Sequence, residues 1–317
     1  MSQKLHGTAI EAFWSGTSFL ITSTVFQPNF ASLSDIFGRR SLFLVALIFF
    51  TVGAIVAAVA NNFTIILVGR SIQGIGGGGI ISLTEIVVTD IVPLRERGKY
   101  FGFLSMMWAL GSVGGPLIGG AFAQEVSWRW IFWINLPFCA LGFVLIPLFL
   151  NLNHRTTSFL EKLKRVDWVG SVLFVASMMS LLIPITWGGV MYPWDHWRTL
   201  VPLVLGVVGL AGFMLYEKFV AKEPLIRLGV FSSRTALVNY LGTVMHGMIV
   251  SLELNDSQWL VEGVTDYLFI TALEFTILSP TILRSHQRSR SNHGRCSRLP
   301  RDIVRTHLHK LSLIKQN

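Results

Sequence analysis

Three short stretches of this 317-residue sequence place polar groups where an apolar chain tolerates them least. In "LSDIFGRRSLF", Asp35 precedes Arg39 and Arg40, with Gly38 able to turn the chain sharply between them. An acid beside two arginines at such a turn can pair locally or grip the end of another helix. In "LVGRSIQGIGGGG", Arg70 sits about two turns inside an apolar run, and Gln73 follows at i+3 on the same helical face. A cation at that depth costs at least about 2.5 kcal/mol on insertion scales, so it marks a functional site unless its head snorkels to the interface. The glycines after it (Gly74 and Gly76 to Gly79) let neighbouring helices approach closely. They do not form a nucleotide loop, because no strand precedes them and no Gly-Lys-Ser/Thr follows. In "ALGSVGGPLIGG", Gly111, Gly115 and Gly119 recur every four residues, with Gly120 adjoining, and Pro116 bends the helix in mid-run.

The elements that carry these residues are long apolar helices. Hydrophobic residues make up 52% of the chain and charged ones 14%, against about 25% charge in soluble domains. Mean hydropathy is +0.58. Apolar windows at 12–33, 41–60, 63–89, 100–123, 130–150, 168–187 and 199–216 predict seven spanning helices, and an eighth begins near Ala236. Each approaches the ~20 residues needed to cross a hydrocarbon core. Only helices satisfy their backbone groups as open chains in lipid. The expected fold class is an all-α polytopic membrane protein, with short loops joining antiparallel neighbours. Two cysteines, Cys139 and Cys296, provide neither a disulfide framework nor a metal cluster.

Thirteen basic residues lie on one set of alternate loops, among them Arg39, Arg40, Arg95, Arg97, Lys162 and Arg165; the other set holds only Arg129 and Arg198. The positive-inside rule puts the first set in the cytoplasm. The N-terminus then lies outside with no signal-peptide pattern, so a helix is expected ahead of the first window. The sequon Asn62-Phe63-Thr64 falls on the outer side in a loop too short for glycosylation. Trp128, Trp130, Trp133, Trp187, Trp194 and Trp197 read as an interfacial belt.

Taken together, "SDIFGRR", "GRSIQGIGGG" and "GSVGGPLIGG" resemble the major facilitator superfamily, and "SWRWIFWINLP" with "VDWVGS" resembles its fourteen-span fungal drug:proton antiporter branch. The resemblance covers about residues 8–249, in order. It implies a partial major facilitator fold and proton-coupled efflux of drugs, toxins or other small organic molecules by alternating access. It implies that Asp35, Gly38, Arg39 and Arg40 form a gate latch, and that Arg70 and Gln73 serve proton coupling and the substrate pathway. Gly111, Gly115, Pro116, Gly119 and Gly120 would form a tightly packed antiporter helix. Ala31 stands where the family usually has glycine. No enzyme activity, cofactor, metal or nucleic acid is expected; the energy source is the proton gradient. The implied partners are a small-molecule substrate, protons and the bilayer, for a monomer in the plasma membrane.

The same resemblance divides the chain into an outer segment (1–11), an N-terminal transporter half lacking its first helix (12–150) and a cytoplasmic loop (151–167). Two linking helices (168–217) follow, then a loop and the start of the C-terminal half (218–249), and a polar, basic tail (250–317). The tail from residue 274 holds nine Lys/Arg against Glu274 and Asp302, so most of the net charge of +9 resides there. Codons permitted at Val250–Ser251 and Thr271–Ala272 include splice signals, and a one-base shift beyond them can spell further membrane helix. The tail is therefore expected to be a retained intron followed by a shifted frame, and a chain of this extent is not expected to transport alone. The alternative is a membrane anchor whose basic tail binds nucleic acid or acidic lipid, although no aromatic residue is interleaved there. A seven-helix receptor matches the span count but leaves the three polar motifs unexplained.

Overall fold

The computed structural model describes residues 8–150, 158–189, 191–221, 224–226, 238 and 241–242. The outermost N-terminal residues, the 151–157 stretch, the eighth window from residue 236 (bar three isolated positions) and the 250–317 tail lie outside them, as do Lys222, Arg227 and Arg234. Helices occupy all seven windows, and the described residues form no named strand.

The first helix, α1 (Ala9–Phe37), starts from a capping box in which Glu11 N–H donates to Thr8 Oγ1 and Thr8 N–H donates to Glu11 Oε2. It is rich in polar residues that are nonetheless buried. Thr17, Thr22 and Thr24 donate to the carbonyls of Phe13, Ser18 and Leu20, so their hydroxyls are satisfied within the helix. Gly38 alone joins α1 to α2 (Arg39–Ala58), at φ 99°, a conformation that favours glycine. On α2, Val45, Ile48, Phe49, Val52, Ile55 and Val59 are exposed at helical spacing, while Ala46, Gly53, Ala54, Ala57 and Ala58 are buried. Apart from Leu42 and Leu47, which are also buried, small residues face the protein and large apolar ones face outward, the arrangement of a lipid-facing helix.

Asn62 caps the third helix, α3 (Phe63–Ile91), by accepting Ile65 N–H at 2.8 Å. The helix is wedged between α1 and α2. A Cβ added at Gly78 would fall on the Ser23 carbonyl oxygen, and one at Gly76 on the Phe50 amide. The glycine run therefore serves two seams at once, one with each neighbour. By contrast, α4 (Arg97–Ala121) and the π-helical turn after it (Phe122–Val126) stand apart, with none of their described side chains buried.

The chain returns through α5 (Trp130–Trp133) and α6 (Asn135–Phe149). Arg129 reaches back to the end of α2, donating to the carbonyls of Ala58 at 3.0 Å and Ala60 at 2.9 Å. These are carbonyls that the helix end leaves free. Beside it Trp128, 2% exposed, packs on Ala57, Ala58, Ala60, Ile66 and Phe132. The interfacial belt is thereby corrected: Trp128 is a core residue, whereas Trp130, Trp194 and Trp197 are exposed.

After the short α7 (Phe159–Arg165), α8 (Trp168–Trp187) and α9 (Trp197–Phe219) form a hairpin. Asp167 Oδ1 caps α8 through Gly170 N–H and accepts the Tyr216 hydroxyl from α9. Phe174, Met178 and Phe213 of the hairpin close on Ile21 and Val25 of α1. Among the described residues, six helical segments are long and apolar enough to cross a membrane: α2, α3, α4 with its π turn, α5 with α6, α8 and α9. The 29-residue α1 is long enough but falls short in apolarity, for the same polar side chains that it buries.

Candidate functional site

The first polar site forms where the ends of three helices meet. Because Gly38 turns the chain within one residue, Arg39 opens α2 directly beneath the last turn of α1. Its guanidinium ion-pairs with Asp35, donates from Nη1 to Ser34 Oγ at 2.8 Å and from Nε to Asp90 Oδ2 at 3.0 Å. The Asp35 side chain is 65% exposed; those of Arg39 and Asp90 are 19% and 25% exposed. Arg39 thus links α1, α2 and α3, and Asp35 is the partner left accessible to another element. Arg40 points into the open. Asp90 escaped the sequence reading, although an acid at the end of an apolar window opposite a basic turn was the signal that could have found it. Nearby, Arg97 donates to the Thr89 and Val92 carbonyls and closes the end of α3, where a cation also meets the negative end of the helix dipole.

The second site is Arg70, seven residues into α3 and so about 10 Å from its start. Nε donates to the Ser15 carbonyl of α1 at 2.9 Å, and Nη1 donates to Gln73 Oε1 at 2.8 Å. The guanidinium carbon lies 4.4 Å from the Phe19 ring centroid and 5.9 Å from that of Phe132. The head is held inward between two rings rather than snorkelling, and Gln73 is 2% exposed. Among the described residues no carboxylate pairs with Arg70. The arrangement is a fixed cation inside the bundle, able to attract an acidic group or orient an anionic ligand but not to give up its own proton.

The third site differs from its expectation. A Cβ at Gly111, Gly115 or Gly120 would meet nothing within 4 Å, and at Gly119 only Ile131 Cδ1 at 4.0 Å. Pro116 is exposed. The tight packing expected of this seam is therefore not made by any described helix. The reason is geometric: α4 stands clear of the other described helices, with none of its described side chains buried, so no described helix comes within reach of these glycines. The structure brings Asp35, Gly38 and Arg39 together, and Arg70 with Gln73, but it does not bring these two groups or the α4 glycines into one site.

Comparison with known proteins follows this geometry. The Major Facilitator Superfamily matches residues 1–290. The chain is 62% identical over 250 residues to MFS transporter L2 of Phoma sp., covering 79% of this chain and 42% of that protein. It is 45% identical over 239 residues to MFS-type efflux pump LUC4 of Fusarium sp., covering 75% and 42%. It is 43% identical over 239 residues to the Acurin A biosynthesis cluster MFS-type transporter of Aspergillus aculeatus, covering 75% and 43%. The chain spans about two-fifths of the length of these relatives.

Proposed function

The chain belongs to the Major Facilitator Superfamily, and from that premise we propose that it serves proton-coupled efflux of small organic molecules across a membrane. The helices rock as bundles around a site near the midplane, opening it to each side in turn. The observation that carries this reading is the cation inside the bundle: Arg70, fixed by Gln73 and the Ser15 carbonyl between Phe19 and Phe132. A charge in a spanning helix is costly and persists where it acts on ions or substrate. In this reading Arg70 and Gln73 govern proton coupling and the substrate pathway. Asp35, Gly38, Arg39 and Arg40 form the gate latch, with Asp35 free to engage a further helix and Asp90 holding Arg39 in place. Gly111, Gly115, Pro116, Gly119 and Gly120 serve as a helix-packing surface for an element beyond the described residues.

The relatives named as efflux pumps favour export over uptake. Their names do not carry a substrate over to this chain. In the same proposal the basic loops face the cytoplasm of a plasma-membrane protein, with a monomer as the working unit and no nucleic-acid partner. Because the chain spans about two-fifths of its relatives' length, the activity proposed is that of a whole transporter of their length. The test is efflux of fluorescent organic cations and acids from proteoliposomes holding such a transporter with these residues, under an imposed proton gradient. Transport that collapses with a protonophore, and drops at least about tenfold in Arg70→Lys (equivalent to about 1.4 kcal/mol), is expected. Transport indifferent to the gradient would sink the proton-coupled reading.

A further inference from the structure

Proton coupling needs a group inside the membrane that takes up and releases a proton, and Arg70 cannot be that group because its guanidinium stays charged. Within the six described membrane-capable segments the acidic residues are Glu85, Asp90, Glu125 and Glu217. Asp90 and Glu125 are next to the last residue of their segments, and Glu217 is two residues from the end of α9. Asp90 is moreover committed to Arg39, and Glu217 Oε1 accepts the Leu225 amide. Glu85 alone lies deeper, six residues and about 9 Å from the end of α3. It is half-buried, and no hydrogen bond or ion pair reaches it among the described residues.

Its surroundings can serve a carboxyl in both protonation states. The helices α1 and α3 run parallel, with Gly74 against Phe19 and Thr22, and Gly78 against Ser23. Two turns on from Gly78 comes Glu85, on the same face of α3. One turn on from Ser23, and so about one turn short of Glu85's level, comes Gln27, which is 1% exposed with neither amide atom hydrogen-bonded. A helical side chain leans back toward the start of its helix, which carries that of Glu85 toward this level. An amide offers a donor to a carboxylate and an acceptor to a carboxylic acid. No fixed charge faces this level from the adjoining helices. The only charged residues of α1 are Glu11 and Asp35, near its two ends, and those of α2 are Arg39 and Arg40 in its first turn. Near the start of α4, Arg97 is spent on the Thr89 and Val92 carbonyls, and Lys99 is exposed.

We propose that Glu85, on the α1–α3 seam with Gln27, is the proton-carrying carboxyl of this bundle. It binds one proton from water on one side as a neutral acid and returns it to water on the other as a carboxylate. The proposal rests on the transporter reading only for what that proton drives, and its test separates the two. Infrared difference spectra across a pH series are recorded on the full 317-residue chain in lipid bilayers. A protonated-carboxyl carbonyl band is expected to persist above the range in which exposed carboxylates ionise (about pH 4–5). It is expected to vanish in Glu85→Gln, to shift in Glu85→Asp and to move on Gln27→Leu. Should Glu85→Gln fail to fold, judged by circular dichroism, the shift in Glu85→Asp decides. No such band above that range, or one untouched by both Glu85 variants, overturns the assignment. A band that depends on Glu85 alongside gradient-independent efflux supports it and removes proton-coupled transport instead.

Discussion

Arg39 and Arg70 are the same residue type under opposite constraints. Arg39 has two carboxylate partners at a helix junction, so removing it takes from Asp90 an ion pair made in a partly buried position. Arg39→Ala and Asp90→Ala are each expected to lower the thermal midpoint of the detergent-solubilised chain. The double variant should be less destabilised than the sum, with a coupling of about 1 kcal/mol. Strict additivity would mean that the contact contributes nothing. Arg70 has no carboxylate partner among the described residues and is held by an amide, a carbonyl and two rings. Arg70→Lys keeps the charge but loses the planar fork that bonds Gln73 and Ser15 together. Its fold should survive while its function suffers, a separation that thermal melts and efflux rates measured side by side would reveal. The sequence marked both arginines, through motif spacing and depth. It could not mark Asp90 as the partner of Arg39, because that contact spans 51 residues.

At the scale of elements, two glycine-rich helices with similar sequences have opposite surroundings. In α3 a single methyl at Gly76 or Gly78 strikes backbone atoms of α2 or α1, which cannot swing away as a flexible side chain can. Gly76→Ala and Gly78→Ala should each cost about 1–3 kcal/mol by overpacking. In α4 the same change at Gly111 meets open space among the described residues, so Gly111→Ala costs stability only through the further element proposed to pack there, and is otherwise neutral or stabilising by up to about 1 kcal/mol through helix propensity. Chemical denaturation of the three variants checks the contrast; a loss at Gly111 as large as at Gly78 would show that α4 packs on an element beyond the described residues. The aromatic motif before α5 follows the same logic. Its spacing reads as a belt, but Arg129 and Trp128 close the end of α2, and only the fold could bring those segments together.

At the scale of the whole molecule, the six apolar helical segments among the described residues and a large exposed apolar surface define an integral, multi-pass membrane protein. The polar face of α1 is tolerated because it is turned inward, where its hydroxyls find carbonyls of their own helix. The proposed orientation makes opposite predictions for two exposed loop residues. In a Cys296→Ser background, with Cys139 buried, Asn61→Cys should react with a membrane-impermeant thiol reagent in intact cells. Glu96→Cys should react only once the membrane is opened. The reverse pattern would invert the topology and move the Asp35–Arg39–Asp90 cluster to the outer side.

Hydropathy and spacing determined the class of protein, the seven helical windows, the turn at Gly38 and the two arginines that matter, since each of these follows from residues within a turn or two of one another. Tertiary structure decided which charges are partnered, which tryptophans are core and which glycine helix is clamped. It also singled out Glu85, an acid that the 63–89 window already held but whose place on the α1–α3 seam, near the unpartnered Gln27, depends on the neighbouring helix. These outcomes depend on the faces that parallel and antiparallel helices turn toward each other, and periodicity along one helix cannot specify its neighbour.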